Sequence, residues 1–287
     1  MINADFFTKL DAMALALKRH AAGRYQGEQK TSYAGDGLTF KDFSPYVLGD
    51  DFRKIDWKVF ARTRELFVRR YEADKNLTIH ILIDASGSMS YRSSPRDMSK
   101  FEYASHMALG IAHIGQKNHE RIELSLFNQH ITPLKLQNQS LHIKHLVSRI
   151  QGVKPEGEGD FHTLFTEYKS RVKTKSLIFI VSDFLYSPTV LKSIYSQFPK
   201  SQVYLVQVLH KDEITLPFEG DTKFINPEKH SESIKAYVTK SLQKNYQKEL
   251  LKHTIAIKQS CGPNTKYIQL NTGANPVASF MQVWQSL

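Results

Sequence analysis

The stretch Leu77-Thr-Ile-His-Ile-Leu-Ile-Asp-Ala-Ser-Gly-Ser-Met89 decides the fold of this chain. Its first seven residues are apolar apart from Thr78 and His80, a pattern typical of a strand buried on both faces. The predicted strand ends at Asp84, and a helical pattern begins near Met98. A buried strand followed by a helix is the repeating unit of a parallel α/β sheet.

The sequence after this stretch continues to alternate between predicted strands and helices. Strands are expected at 122–126, 177–181, 203–209 and 266–270, and 131–136 is expected to pair with 122–126 as a hairpin. Helices are expected at 98–116, 141–150, 163–172, from Pro188 onward, and at 231–259. We therefore expect an α/β fold over residues 77–287: a doubly wound, mainly parallel sheet with helices on both faces.

Residues 1–76 are predicted to form an N-terminal α/β extension packed on the main domain. Apolar residues at helical spacing predict an amphipathic helix over 4–20. The segment 33–71 is rich in aromatic residues, and we expect its Trp57 to pack in a core. Asp50, Asp51, Arg53, Asp56 and Arg62 are interpreted as a structural salt-bridge network, with a second partner-facing site as the alternative.

Composition limits the class of protein. The chain has 287 residues, of which 41% are hydrophobic and 23% are charged, which is typical of a globular protein. No run approaches the roughly 18 apolar residues of a membrane helix, and the N-terminus does not resemble a secretory signal. A single cysteine, Cys261, cannot form an internal disulfide, so we expect a cytoplasmic protein without a membrane span.

The net charge of +11 is spread evenly along the chain. It amounts to +3 over residues 1–76, +4 over 77–199 and +4 over 200–287, so there is no basic tail that would bind nucleic acid. Nucleic-acid binding is therefore unlikely on sequence grounds. Four lysines stand four residues apart at positions 240, 244, 248 and 252 and are interpreted as a solvated helix face, with docking of an acidic partner as the alternative.

Two predicted strands end in an acidic residue, and this pattern marks the candidate site. One strand continues as Asp84-Ala-Ser86-Gly-Ser88, and the strand at 177–181 is followed by Ser182-Asp183. In open α/β sheets ligands bind at the carboxyl ends of the strands, near the point where the strand order reverses. Carboxylates and hydroxyls are hard oxygen donors that suit Mg²⁺. The alternative is a hydrogen-bonded turn without an ion.

The pattern Asp-x-Ser-x-Ser after an apolar strand, with a second acidic residue ending a later strand, resembles the metal-ion-dependent adhesion site of von Willebrand factor A domains. Asp84, Ser86, Ser88 and Asp183 match that site residue by residue. The resemblance implies that serines and a threonine bind the ion, that the acids act through water, and that an acidic group of a partner protein completes the site. Gly159 stands where the threonine is usual, so Thr163 is the candidate substitute.

A second resemblance rests on the block Gly49-Asp-Asp-Phe-Arg-Lys-Ile-Asp-Trp57 and on the motif Phe218-Glu-Gly-Asp-Thr-Lys-Phe-Ile-Asn-Pro-Glu228. Together with the Asp-x-Ser-x-Ser-Met sequence, these resemble the domain-of-unknown-function 58 family. Many members carry two N-terminal membrane helices, which this chain lacks, so it resembles the members without them. The family commonly accompanies MoxR-type AAA+ ATPases, which implies an adaptor that binds a protein partner.

Enzyme hypotheses find little support in the motifs. The chain has no phosphate-binding loop with Gly-Lys-Ser/Thr and no Gly-x-Ser-x-Gly nucleophile motif. A metal-dependent phosphohydrolase with Asp84 as nucleophile is the alternative function, but Ser86 stands where that class needs a second aspartate. We therefore expect a non-enzymatic interaction module that binds Mg²⁺ through Asp84, Ser86, Ser88, Asp183 and Thr163.

Overall fold

The computed structural model describes residues 5–13, 39–47, 55–72, 77–134, 143–158, 161–229 and 231–286. The chain divides into two compact units. One unit comprises residues 1–28 together with 77–287, and the other comprises residues 29–76. The predicted N-terminal extension is therefore divided between the two units.

The smaller unit contains a two-stranded antiparallel sheet and one helix. Strands β1 (Thr39–Pro45) and β2 (Phe67–Glu72) pair with an irregularity between Phe40 and Asp42, and helix α2 spans Trp57–Thr63. Asp56 caps α2 by accepting hydrogen bonds from the backbone N–H groups of Lys58 and Val59. The prediction that Trp57 packs in a core is wrong: it is 61% exposed at the start of α2, and its ring meets the edge of the Phe60 ring on the same helix. Asp50, Asp51 and Arg53 lie outside the described residues.

The larger unit is a mixed α/β structure around a six-stranded, mainly parallel sheet, which confirms that part of the predicted fold class. The strand order is β10-β7-β6-β3-β4-β5, and only β5 runs antiparallel to its neighbour. The strands are β3 (Thr78–Asp84), β4 (Arg121–Phe127), β5 (Ile131–Pro133), β6 (Ser176–Ser182), β7 (Gln202–Leu209) and β10 (Thr265–Asn271). The helices of this unit are α1 (5–13), α3 (Lys100–Lys117), α4 (Ile143–Gln151), α5 (Phe161–Tyr168), α6 (Pro188–Tyr195), α7 (Lys211–Thr215), α8 (Lys240–Ser260) and α9 (Pro276–Gln285).

Apolar residues cover both faces of the sheet because successive strand side chains point to opposite sides. In β3, Ile81 and Ile83 join a core with α1, α3, α4 and α9, whereas Leu82 joins a second core with α5, α6 and α8. Phe6 and Leu10 attach α1 to the first of these cores. Helices therefore cover both faces, and the carboxyl ends of the strands form one edge.

The predicted helix over 231–259 is wrong in its first part. Residues Ser233–Val238 form strand β9, which pairs antiparallel with β8 (Gly220–Ile225), and α8 begins only at Lys240. Thr239 separates the two elements, since its side chain caps α8 by accepting a hydrogen bond from the Leu242 N–H. Ile234 is 71% exposed on β9.

No helix in the described part of the chain is both long and apolar enough to cross a lipid bilayer.

Candidate functional site

The candidate site lies where the strand order of the central sheet reverses. From β3 the chain proceeds to β4 on one side, while β6 lies against β3 on the other side. Asp84 ends β3, Ser182 ends β6 and Asp183 follows it directly; because β3 and β6 pair in parallel, the two acidic residues lie at the same edge of the sheet. The crevice at such a point is the usual ligand position in an open α/β sheet.

Asp84 is fully buried, and both of its carboxylate oxygens accept hydrogen bonds. Oδ1 accepts from the Ser86 backbone N–H at 2.8 Å; Oδ2 accepts from the Ser182 hydroxyl at 2.6 Å and from the Tyr186 hydroxyl at 3.0 Å. Burial, assisted by the nearby Asp183 charge, raises the pKa of Asp84 to about 6. These hydrogen bonds to the buried Asp84 therefore hold the turn that follows β3 in place.

The hydroxyls of the motif lead from the buried aspartate to the surface. Ser86 is buried and its Oγ lies 3.2 Å from the Oγ of Ser88, which is half-buried. The Ser88 hydroxyl donates to Oδ2 of Asp183 at 2.8 Å. The structure thus brings together four of the five predicted site residues: Asp84, Ser86, Ser88 and Asp183.

A neighbouring loop is attached to the motif by two backbone hydrogen bonds. The Glu156 N–H donates to the Ala85 carbonyl and the Gly87 N–H donates to the Gly157 carbonyl, both at 2.9 Å. Gly157 has a positive φ of 79°, which favours glycine at that position. Gly159 lies outside the described residues, and the side chain of Thr163 is exposed in the first turn of α5. Thr163 as a metal ligand stays a prediction.

The site also contains a buried cation that was not predicted. The Lys100 ammonium lies 2.7 Å from Oδ2 of Asp183 and 2.6 Å from Oε1 of Glu213, and its side chain is 1% exposed. Burial alone would lower the pKa of Lys100, but the two carboxylates more than offset that effect and raise it. The ammonium therefore remains charged and neutralises part of the acidic charge at the sheet edge.

The position of Lys100 on α3, though not its burial, could have been predicted from the sequence. Ser99 and Glu102 form a capping box at the start of α3, in which each side chain bonds the backbone N–H of the other residue. Such a box places Lys100 in the first helical turn after the motif, where its side chain can reach back toward β6. Glu213 and Tyr186 come from distant segments and carried no comparable signal.

The donor set fits a magnesium ion held mainly by hydroxyls. Mg²⁺ binds oxygen at about 2.1 Å in octahedral geometry, so adjacent ligands lie about 3.0 Å apart, close to the 3.2 Å between the Ser86 and Ser88 oxygens. Within the described residues, no group of three or more His, Cys, Asp or Glu side chains could hold a metal. Because Asp84 is buried and three of its roughly four acceptor positions are filled from within the protein, its arrangement favours support of an ion from the outer shell.

Comparisons with known proteins agree with the resemblance to the domain-of-unknown-function 58 family. The model of the family described as "Protein of unknown function DUF58" matches residues 42–256. Uncharacterized proteins of Mycobacterium bovis and Mycobacterium tuberculosis are 24% identical to this chain over 217 residues, which are 74% of this chain and 68% of theirs.

Two solved structures are also similar to this chain over most of their length. An aerotolerance-related membrane protein from Bacteroides fragilis is 14% identical, with 73% of this chain and 97% of that chain covered and a TM-score of 0.44. An uncharacterized membrane spanning protein from Vibrio fischeri is 12% identical, with 73% and 98% covered and a TM-score of 0.23. Because the family match spans most of the sequence, this chain belongs to the DUF58 family of proteins of unknown function.

Proposed function

We propose that this chain is a non-enzymatic protein-interaction module whose residues 77–287 form a von Willebrand factor A-like domain. The observation that carries this proposal is the convergence of Ser86, Ser88, Asp183 and Lys100 at the point where the strand order reverses. Polar groups that converge in a partly buried crevice interact more strongly than they do in water.

The buried residues of the site and the half-buried Ser88 have different roles. Asp84 and Lys100 are buried and already paired, so they position the groups around them. Ser88 is half-buried and lies outermost of the motif hydroxyls, so it is the group that a partner reaches. There the Ser88 hydroxyl turns its single proton from Asp183 to an acidic side chain of the partner.

Ser86 and Ser88 would hold Mg²⁺, with Asp84 and Asp183 supporting it from the outer shell and Thr163 as a further candidate ligand. When bound, the ion supplies the positive charge that attracts the carboxylate of the partner. Lys100 already offsets part of the local acidic charge, so the affinity for the ion is weaker than in a site with the same acids and no lysine.

The alternative function, a phosphohydrolase with Asp84 as nucleophile, gains no support from the geometry. The Asp84 carboxylate is fully buried and accepts three hydrogen bonds from within the protein. A nucleophile needs an accessible oxygen that can approach phosphorus.

The partner we propose is a MoxR-type AAA+ ATPase, which the chain serves as an adaptor in complex maturation or chaperone-like work in the cytoplasm. The support for this step is the resemblance to the family. Affinity purification with mass spectrometry, in Mg²⁺ and in EDTA, tests it with wild type, Ser88→Ala and the neighbouring exposed control Ser90→Ala.

Recovery of the ATPase by wild type and Ser90→Ala, but not by Ser88→Ala, would support the docking site. If EDTA did not change this pattern, the magnesium ion would be rejected and the site retained. Equal recovery by all three proteins would reject the site.

A further inference from the structure

The hairpin formed by β8 and β9 reaches the candidate site through its tip, which we define as residues 226–229. A side-chain carbon at Gly87 would lie 2.4 Å from the Pro227 carbonyl oxygen and 3.1 Å from the Cα of Glu228. The first distance is too short for a real Cβ atom and the second is tighter than most Cβ contacts, so the glycine between the two serines allows the tip to lie directly on the motif. This contact accounts for part of the Phe218–Glu228 motif, which the proposed function does not use.

Polar contacts hold the tip in a defined shape. The Glu228 N–H donates to Oδ1 of Asn226 at 3.0 Å, and the Asn226 N–H donates to the Glu232 carbonyl at 2.9 Å. The Lys229 ammonium lies 2.8 Å from Oε2 of Glu158, on the loop attached to Gly87. The tip therefore presents Glu228 at a fixed place beside the motif.

The groups that act on the Glu228 carboxylate are those of the candidate site. Burial and the charges of Asp183 and Glu158 raise the pKa of Glu228, whereas the Ser88 hydroxyl and the Lys100 ammonium act in the opposite direction. The contact at Gly87 places Glu228 beside Ser88, whose hydroxyl donates to Asp183 in this structure, and near the Lys100 cation that a carboxylate of a partner would use.

Little apolar burial holds the hairpin in place. Ile225 at the end of β8 and Ile234 near the start of β9 are 56% and 71% exposed, and Tyr237 is also exposed, whereas the buried Val238 lies at the far end of β9 from the tip. Segments with few buried apolar contacts open at low free-energy cost. The tip can therefore leave the site while the central sheet stays folded.

We propose that Glu228 occupies the docking position at Ser88 from within the chain, and that the partner binds by replacing it with a carboxylate of its own. This inference rests on the proposed function, because it identifies the chemical class of the group that docks. It also makes the hairpin tip a cover that the partner displaces.

The test uses a cysteine at position 88 as a reporter of cover and needs no partner. Ser88→Cys is made together with Cys261→Ser, so that position 88 carries the single thiol. The rate of its reaction with the neutral reagent methyl methanethiosulfonate is measured across pH, and the fit gives the rate constant for the thiolate form. Glu228→Ala is then added, and Asp221→Ala on the exposed side of β8 serves as the matched control. Circular dichroism confirms that each variant is folded.

Removal of Glu228 is expected to raise the thiolate rate about tenfold, as for loss of one contact with a charged group, while the Asp221 control reacts like the parent. Equal rates in the two alanine variants would overturn the cover. Neither result depends on the partner, so failure of the proposed function is distinguished by the affinity purification.

Discussion

Replacing Lys100 with methionine removes the buried ammonium and leaves Asp183 in place. Methionine has a similar length and similar helix propensity, so the change tests the charge more than the packing. Asp183 is 1% exposed and would lose its cation, while the Ser88 hydroxyl would remain as a donor. Glu213 is 20% exposed and can regain water.

The expected magnitude follows from the geometry of the pair. At 2.7 Å and an effective dielectric constant of about 20, the attraction between Lys100 and Asp183 is about 6 kcal/mol before desolvation is subtracted. Breaking a buried pair by removal of one partner costs about 3–5 kcal/mol. With a urea m value of about 3 kcal/mol per molar, the unfolding midpoint should fall by about 1–2 M.

Lys117, at the other end of the same helix, provides the control. It lies 2.7 Å from Oδ2 of Asp11, but its side chain is 53% exposed, so Lys117→Met should cost about 1 kcal/mol or less. The double variant Lys100→Met with Asp183→Asn should recover part of the loss, because the buried unpaired charge at position 183 is removed. Urea unfolding of the four proteins measures these differences, and equal midpoints for Lys100→Met and Lys117→Met would refute the reasoning.

Three further perturbations test other parts of the structure. Gly87→Ala should destabilise the protein by about 1 kcal/mol, the free energy that holds the hairpin tip on the motif, because its methyl group would meet the Pro227 carbonyl at 2.4 Å and displace the tip. Gly262→Ala, with no described neighbour within 4 Å, should have a smaller effect in the same thermal melts. Burial lowers the pKa of His80 in the folded protein, so as the pH decreases this histidine is protonated in the unfolded chain before it is protonated in the folded one. The free energy of unfolding should therefore fall as the pH decreases below about 6.5. His80→Gln should flatten that dependence in urea titrations at several pH values, and an unchanged slope, equal to that of the exposed control His130→Gln, would count against this assignment. On α8, Lys248→Glu replaces two like-charge pairs by two opposite pairs, so it should raise the melting temperature by the equivalent of about 1 kcal/mol, and a gain that persists in 1 M NaCl would argue against an electrostatic origin.

The central sheet was predictable because burial on both faces leaves a clear trace in the sequence. The strands β3, β6 and β7 are runs of apolar residues with few interruptions, and such runs separated by amphipathic helices specify a parallel sheet. The same pattern predicted that Asp84 and Asp183 lie at one edge of the sheet, because neighbouring parallel strands end at the same edge.

The hairpin and the buried cation were not predictable in the same way. Ile234 and Val238 stand four residues apart, so their spacing fits a helix as well as a strand, and only pairing with β8 decides between them. Lys100 is polar and would be assigned to the surface by composition, yet two carboxylates from distant segments hold it in the interior. Contacts between distant segments are therefore what the local pattern leaves undetermined.

The binding affinity of this chain for its proposed partner, a purified MoxR-type ATPase, measured by isothermal titration calorimetry in Mg²⁺, tests the docking site most directly. We predict that Ser88→Ala weakens binding about tenfold or more, since it removes a hydrogen-bond donor to a charged group, while Ser90→Ala binds like wild type. Binding of the ATPase with equal affinity to all three proteins would contradict the claim that the edge formed by β3 and β6 is the site where the partner docks.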